Sequence, residues 1–299
     1  MAIKAIDPWV NVSMGAMADT PFMQKVKDEY FKAGDDFFRN IEADELTERM
    51  DRIGVEKCFL TVDPHRPEQR VLDFTTKYPG RFYLAAQPRL KKGMKALWAM
   101  EDLARDYPVI MARVTPFELD LPPNDPIYYP LYAKCVEMDM PVGVNTGLPG
   151  PPVPGECQNP MYLDRVCLHF PELKLIMQHG ADPWWELAIR LMIKYRNLYM
   201  MTSAYSPKYL PESLLHYMNT RGKHKIMFAS DHPVPGRSAG TRPAARDTGT
   251  LPVRQCTGGT VRAAQAAPRR VQVAARPGGV IYTRSQHASG PDIDTPADL

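Results

Sequence analysis

Leu173-Lys174-Leu175-Ile176-Met177-Gln178-His179 is a short apolar run that stops on a histidine. An amphipathic stretch, Pro183–Tyr195, follows it, and Leu198-Tyr199-Met200-Met201-Thr202-Ser203 is apolar again. Strands that are nearly continuous apolar runs, separated by a helix, are what a parallel sheet covered on both faces requires. The same alternation extends outward from this unit. Strand candidates before it are Ile3–Asp7, Lys57–Val62, Phe82–Gln87, Val109–Val114 and Pro141–Asn145, and Lys225–Ser230 comes after it. Helical patterns lie between them at Ala43–Ile53, Glu68–Tyr78, Gly93–Tyr107, Ile127–Asp139, Asn159–Phe170 and Pro211–Arg221. In the first of these, Leu46, Met50 and Ile53 recur at helical spacing and Gly54 supplies a stop. Pro79, Pro108, Pro141 and Pro171 each follow a helical stretch closely and help to end it. Eight such alternations predict an α/β fold, a (β/α)8 barrel of the TIM type. The alternative is an open doubly wound sheet. The glycine-rich phosphate turn usual after its first strand is absent, and Ile6-Asp7-Pro8-Trp9-Val10-Asn11 stands there instead.

Composition bounds the function. The 299 residues are 44% hydrophobic and 24% charged, a globular balance that excludes a mainly disordered, collagen-like or membrane-bundle chain. No apolar run approaches the roughly 20 residues of a spanning helix. Met1–Val10 has neither the basic flank nor the apolar core of a signal peptide. The five cysteines are odd in number and form no CxxC pair, so a reduced thiol set and a cytoplasmic location are expected. Asn11-Val12-Ser13 matches a glycosylation acceptor, which without a secretion signal is a chance match.

Charge and composition both break near residue 236. Residues 236–299 hold nine Arg and four Asp but no Lys, Glu, Met, Phe or Trp. They carry +5 of a net +3, which leaves −2 on residues 1–235. The body therefore offers no basic face for nucleic acid or an anionic membrane, and a small-molecule partner is expected, with self- or hetero-association open. The tail has no sustained helical stripe and one short strand-like run, Gly279-Val280-Ile281-Tyr282. Such a segment buries too little apolar surface to offset its ordering entropy. It fits a disordered extension or a reading-frame change in GC-rich coding DNA, and the abruptness of the break favours the latter. The expected organisation is a barrel over 1–235, its C-terminal helical layer incomplete, and a low-complexity tail over 236–299.

A barrel's chemistry sits at the C-terminal ends of its strands. The polar residues there are Asp7, Asp63 and His65, Arg113, Asn145, His179, and Ser230-Asp231-His232. Two long excursions, residues 8–42 and the Pro/Gly-rich 146–160, are candidates for lids or binding loops. No GxSxG elbow supports serine-hydrolase chemistry.

Several segments in order carry a family resemblance. They are Glu48-Arg49-Met50-Asp51-Arg52-Ile53-Gly54-Val55-Glu56-Lys57, Tyr78-Pro79-Gly80-Arg81-Phe82, and Pro130-Leu131-Tyr132 before Met140-Pro141-Val142. Then come Asn145-Thr146-Gly147, Phe170-Pro171-Glu172-Leu173-Lys174-Leu175, Gln178-His179-Gly180 and Ser230-Asp231-His232-Pro233. Over roughly residues 3–235 the chain resembles the amidohydrolase superfamily, in its aminocarboxymuconate-semialdehyde decarboxylase-like branch. The resemblance implies a hydrolase or non-oxidative decarboxylase with a divalent metal, usually zinc. It also implies an HxH pair on strand one, a His ending strand five, a catalytic His ending strand six and an Asp ending strand eight. Here the strand-one positions are Trp9 and Asn11 and the strand-five position is Asn145, while His179, Asp231 and the preceding acid Asp7 are retained. An indole does not ligate, and an amide is a poor zinc donor. A catalytic zinc usually has three protein ligands, so these positions argue against one.

The expected roles follow. His179 is the general acid/base and Asp231 orients it. Arg113 meets a substrate carboxylate through paired hydrogen bonds, or else forms a structural ion pair. Asn11, Asn145 and Trp9 line the ligand site, and no residue is assigned as a metal ligand. The activity expected is hydrolysis or decarboxylation of a small carboxylated or cyclic metabolite. The alternative is a non-catalytic ligand-binding or partner subunit that has lost its metal. His65 is expected in a loop, and His232 behind the site or exposed. His169, His216 and His224 are expected to be structural, Cys58 to be a buried thiol, and Trp184 and Trp185 to pack between barrel and helices. Limited proteolysis is expected to cut within 236–299 first and to spare the strands, and equal protection of both parts would count against the division.

Overall fold

The computed structural model describes residues 5–203 and 205–232. They form eight strands: β1 (Ala5–Val10), β2 (Val55–Val62), β3 (Phe82–Ala86), β4 (Val109–Val114), β5 (Val142–Asn145), β6 (Leu175–Gln178), β7 (Leu198–Met201) and β8 (Ile226–Met227). All pair in parallel and in sequence order. A short helix, α1 (Pro21–Lys25), sits in the first excursion. The longer helices are α2 (Ala43–Ile53), α3 (Gln69–Lys77), α4 (Met94–Asp106), α5 (Tyr129–Glu137), α6 (Leu163–His169), α7 (Trp185–Lys194) and α8 (Glu212–Asn219). The ends of the sheet meet where Val10 bridges His232 in the parallel sense and the Asn11 N–H donates to the His232 carbonyl at 2.9 Å. This is the TIM-type barrel expected from the alternation. The tail beyond residue 236, its run at 279–282 and any helical layer after β8 lie outside the described residues. Among those described, no helix is long and apolar enough to cross a membrane.

The strands sort their side chains between two cores, as period-two alternation demands. Leu84, Ala86, Val142, Val144, Leu175, Met177, Leu198 and Met200 face the helices and join Leu46, Met50, Leu97, Leu131 and Leu191 in one large cluster. Trp9, Ala85, Met111, Ile176, Met201 and Ala229 form a second cluster inside the barrel. The first cluster explains why the amphipathic helices form. In α2 the positions Leu46 and Met50 are buried, with Asp44 and Glu45 at the positive end and Arg52 at the negative end.

Strand one departs from its expected bounds. It runs on to Val10 rather than ending at Asp7, and Ile3 and Lys4 lie outside the described residues. Asp7 pairs with Cys58 but Val10 with Leu60, so β1 spends three steps against two on β2. That is a β-bulge, which accommodates Pro8 where the ladder has no use for an N–H. One extra residue reverses the faces. Asp7 and Val10 therefore turn to the helix layer while Trp9 turns into the barrel. Strand eight is shorter than Lys225–Ser230 because the Ser230 N–H goes to the Asp7 carboxylate at 3.0 Å instead of a strand partner. The helix starts expected at Ile127 and Asn159 resolve into tight turns, Pro126–Tyr128 and Pro160–Tyr162, ahead of α5 and α6. The Asp125 and Asn159 side chains cap these turns, each accepting an N–H at 2.9 Å.

Gly143, on β5, lies under the fully buried Gln178 of β6, whose carboxamide would overlap a Cβ there. Gly143→Ala is expected to cost about 1–3 kcal/mol in urea unfolding through overpacking. Combining it with Gln178→Ala should cost less than the two single losses added, because both changes act on one space. Strict additivity would show that the contact is not limiting.

Candidate functional site

The inner, C-terminal half of the barrel is polar. Arg113 on β4 is fully buried there. Its Nη2 donates to the Pro8 carbonyl at 2.5 Å, and its Nη1 donates to the Thr61 hydroxyl of β2. The Thr61 hydroxyl in turn donates to Asn11 Oδ1 at 2.9 Å. The guanidinium carbon stands 3.7 Å from the centre of the Trp9 indole, a cation–π stack of the kind that strengthens when desolvated. Burial pulls Arg113 down to about 9, against the fields of Asp231 and Asp7, which hold it up. A guanidinium so placed still keeps its proton at neutral pH.

His179 ends β6 with its ring edge-on to Trp9, the centroids 4.4 Å apart. The Ser203 hydroxyl, at the end of β7, accepts the His179 backbone N–H at 3.1 Å and lies 3.0 Å from its Nδ1. The ring orientation is thus fixed from two sides. Asp231 Oδ2 lies 3.8 Å from the same Nδ1, and the two side chains are 22% and 14% exposed, so both reach the barrel mouth. His179 and Asp231 hold left-handed backbone, at φ 62° and 58°. That geometry costs a side-chain-bearing residue about 1–2 kcal/mol and concentrates at functional sites. Burial and the Arg113 charge together press the His179 ring down to about 3, so it is neutral at pH 7.

Asn145 and Gln178 face each other across β5 and β6. Asn145 Oδ1, Gln178 Oε1, Trp9 Nε1 and Arg113 Nε are buried without a protein hydrogen-bond partner. Contacts join Trp9 to both Arg113 and His179, Arg113 through Thr61 to Asn11, and His179 to Asp231, while Asn145 ends β5 opposite Gln178. Arg113 does not face the mouth, as a carboxylate-binding residue would, but stands behind Trp9.

The other rim candidates go elsewhere. Asp63 accepts the His65 N–H at 2.9 Å and Arg89 Nε at 2.6 Å, and His65 Nε2 lies 2.9 Å from Lys92 Nζ. These form a surface network on the loops after β2 and β3. Asp7, turned outward by the bulge, accepts the N–H groups of Trp9 and Ser230 at 3.3 and 3.0 Å and clamps the seam. Burial raises its pKa, against those hydrogen bonds. His232 is neither exposed nor beside the His179 ring. Its side chain is buried with Asp7 and Cys58 around a small cavity against Leu46 and Met50 of α2. Burial lowers its pKa to about 4. Thr61, Ser203 and Gln178 are the polar members that sequence reasoning left out. Their signal was an inward-facing polar residue within or just after an apolar strand.

The two long excursions touch above these strand ends. The Tyr30 ring lies so close to Gly150 that any Cβ there would overlap its hydroxyl. Phe31, Phe37 and Phe38 continue from Tyr30 as a chain of edge-on and tilted rings, with successive centroids 4.8–5.6 Å apart.

The amidohydrolase family model matches residues 29–256. The chain belongs to this family. Solved structures share the amidohydrolase barrel at low identity. An uncharacterised TIM-barrel protein from Bordetella bronchiseptica is 20% identical with a TM-score of 0.62, over 78% of this chain and 87% of that one. The 5-carboxyvanillate decarboxylase of Sphingomonas paucimobilis is 18% identical with a TM-score of 0.60, over 80% and 91%. A probable 2-pyrone-4,6-dicarboxylic acid hydrolase from Acinetobacter baumannii, with citric acid bound, is 15% identical with a TM-score of 0.53, over 81% and 88%. No curated protein matches the sequence.

The metal that the family implies does not fit the residues present. At its strand-one positions stand an indole and an amide, and a guanidinium cation lies against that indole. Among the described residues no group of three or more His, Cys, Asp or Glu side chains is placed to hold an ion.

Two histidines of lowered basicity, the buried His232 and the partly exposed His179, set an acid limit on stability. Both rings titrate lower folded than the unfolded value near 6.5. Their stabilisation is therefore complete above about pH 6.5 and is lost as pH falls towards 4 for His232 and 3 for His179, at about 1.4 kcal/mol per pH unit for each ring. The raised pKa of Asp7 opposes this at the acid end. Urea midpoints at pH 7 and pH 5 should differ accordingly, and His232→Gln should flatten the difference. An unchanged slope in that variant would assign the acid loss to other groups.

Proposed function

We propose that this amidohydrolase is an enzyme that hydrolyses or decarboxylates a small carboxylated or cyclic metabolite at the barrel mouth, in the cytoplasm, through a degenerate site that works without a metal. The observation that carries the reading is the His179 ring, locked by Ser203 and Trp9 beside Asp231 yet still reaching the mouth. A positioned imidazole with a carboxylate behind it is the usual means of moving a proton to or from a bound ring. Asn11, Asn145 and the Trp9 edge line the approach, and the buried Arg113 charge draws an anionic acid towards it. The neutral resting ring is a weak base. A bound carboxylate opposes the smaller of the two causes, the Arg113 charge, while burial, the larger one, continues to hold the ring down. The named solved relatives include enzymes whose substrates are carboxylated rings. Cys58, Cys135, Cys157 and Cys167 are free and buried, which agrees with a reducing compartment.

A non-catalytic ligand-binding or partner subunit is the second reading. The enclosure of Arg113 and the low basicity of His179 favour it. A panel of carboxylated ring acids, tested for binding and turnover with and without a chelator, separates the two. The enzyme reading expects turnover that chelation leaves unchanged, less than stoichiometric zinc in the purified protein, and a loss of about 10²–10⁴ in His179→Gln. Binding without turnover would establish the second reading, and turnover that required added metal would overturn the metal-free site.

A further inference from the structure

We propose that the Arg113 guanidinium, stacked on Trp9, is this barrel's resident cation and excludes a divalent ion from the strand ends. The inference rests on the metal-free reading above and deepens it by naming the group that replaces the ion.

The guanidinium is in contact with one of the two strand-one positions that the resemblance assigns to the family's ion and is linked to the other. Trp9 covers its face at 3.7 Å. Asn11 is joined to it through the Thr61 hydroxyl. Asp231, the retained acid, acts on it by charge. Its remaining support is the Pro8 carbonyl, at 2.5 Å. Every element that packs on it is thus neutral or anionic, and His179, the other titratable ring nearby, is kept uncharged partly by it.

A single positive charge fixed by three kinds of contact differs from an exchangeable ion in two ways. It cannot be removed by chelation, and it occupies volume. A dication brought next to it meets like-charge repulsion in a medium that screens poorly. The indole and the guanidinium therefore form one replacement in two parts. The indole cannot ligate but gives the guanidinium a face, and the guanidinium supplies the charge that the missing imidazoles would have held in an ion. Restoring ligands alone then leaves the site blocked. This separates the proposal from a simple loss of ligands, under which three histidines would suffice.

The test compares zinc and manganese uptake by the full-length chain carrying Trp9→His, Asn11→His and Asn145→His with uptake by the same chain carrying Arg113→Met as well. Calorimetry and metal analysis after dialysis give the readout. The variant that keeps Arg113 is expected to bind about 10–100-fold more weakly, the range by which groups behind metal ligands change affinity. Equal, stoichiometric uptake by both variants would overturn the proposal. This readout does not depend on turnover, so failure of the proposed activity would leave it standing and separately visible. Should either variant fail to fold, a double-mutant cycle in the otherwise unmodified chain decides. Arg113→Gln and Asp231→Asn, measured in urea, should be non-additive, with the double variant more stable than the sum of the single losses predicts. A double variant that folds where Arg113→Gln alone does not is the same result in stronger form. Additive losses, or a double variant no better folded than Arg113→Gln, would count against the pairing.

Discussion

A guanidinium that water does not reach must be satisfied by its walls, because an unpaired buried charge costs several kcal/mol. In this barrel those walls are a backbone carbonyl and a threonine hydroxyl for the two terminal nitrogens and the face of an indole for the plane, with Nε left unpartnered. Much of the interior follows from that requirement. The small residues Ala85 and Ala229 share the inner cluster with the Trp9 indole. Gly143, level with Arg113 on the neighbouring strand, yields space to Gln178. The position of the His179 ring follows in turn, because the indole that stacks on Arg113 also receives the imidazole edge. The site is assembled around a fully buried side chain.

The carbonyl that accepts from Arg113 is available because β1 bulges at Pro8. The same bulge sends Trp9 inward and Asp7 outward. One local irregularity thus supplies an acceptor for the central charge, directs the indole to it, and places the carboxylate that ties Ser230 to β1. Closure of the sheet and organisation of the mouth are mechanically linked through four consecutive residues, Asp7 to Val10.

Where a segment's own pattern decides its structure, the sequence was sufficient. Ala43–Ile53 and Val109–Val114 match their elements to the residue, since a helical stripe and an apolar run bounded by prolines or glycine leave little freedom. The retained His179 and Asp231 and the replaced Trp9, Asn11 and Asn145 all stand at or just beyond strand ends, as the alternation leads one to expect. What could not be read is which way a residue turns when the register slips. Asp7 reads like a rim acid and is a seam clamp. Asp63 and His65 look equivalent to His179 at a strand end, yet Arg89 and Lys92, far along the chain, draw them into a separate network. Arg113 was placed on the right strand. Its partner was not legible, since a stack between residues 9 and 113 leaves no trace in local spacing.

The contact between Tyr30 and Gly150 couples two loops that are far apart in the chain. A side chain at 150 meets the Tyr30 ring, which must then turn aside. For anyone recasting this scaffold around a new ligand, a graft of either segment has to provide for the tyrosine that rests on the other.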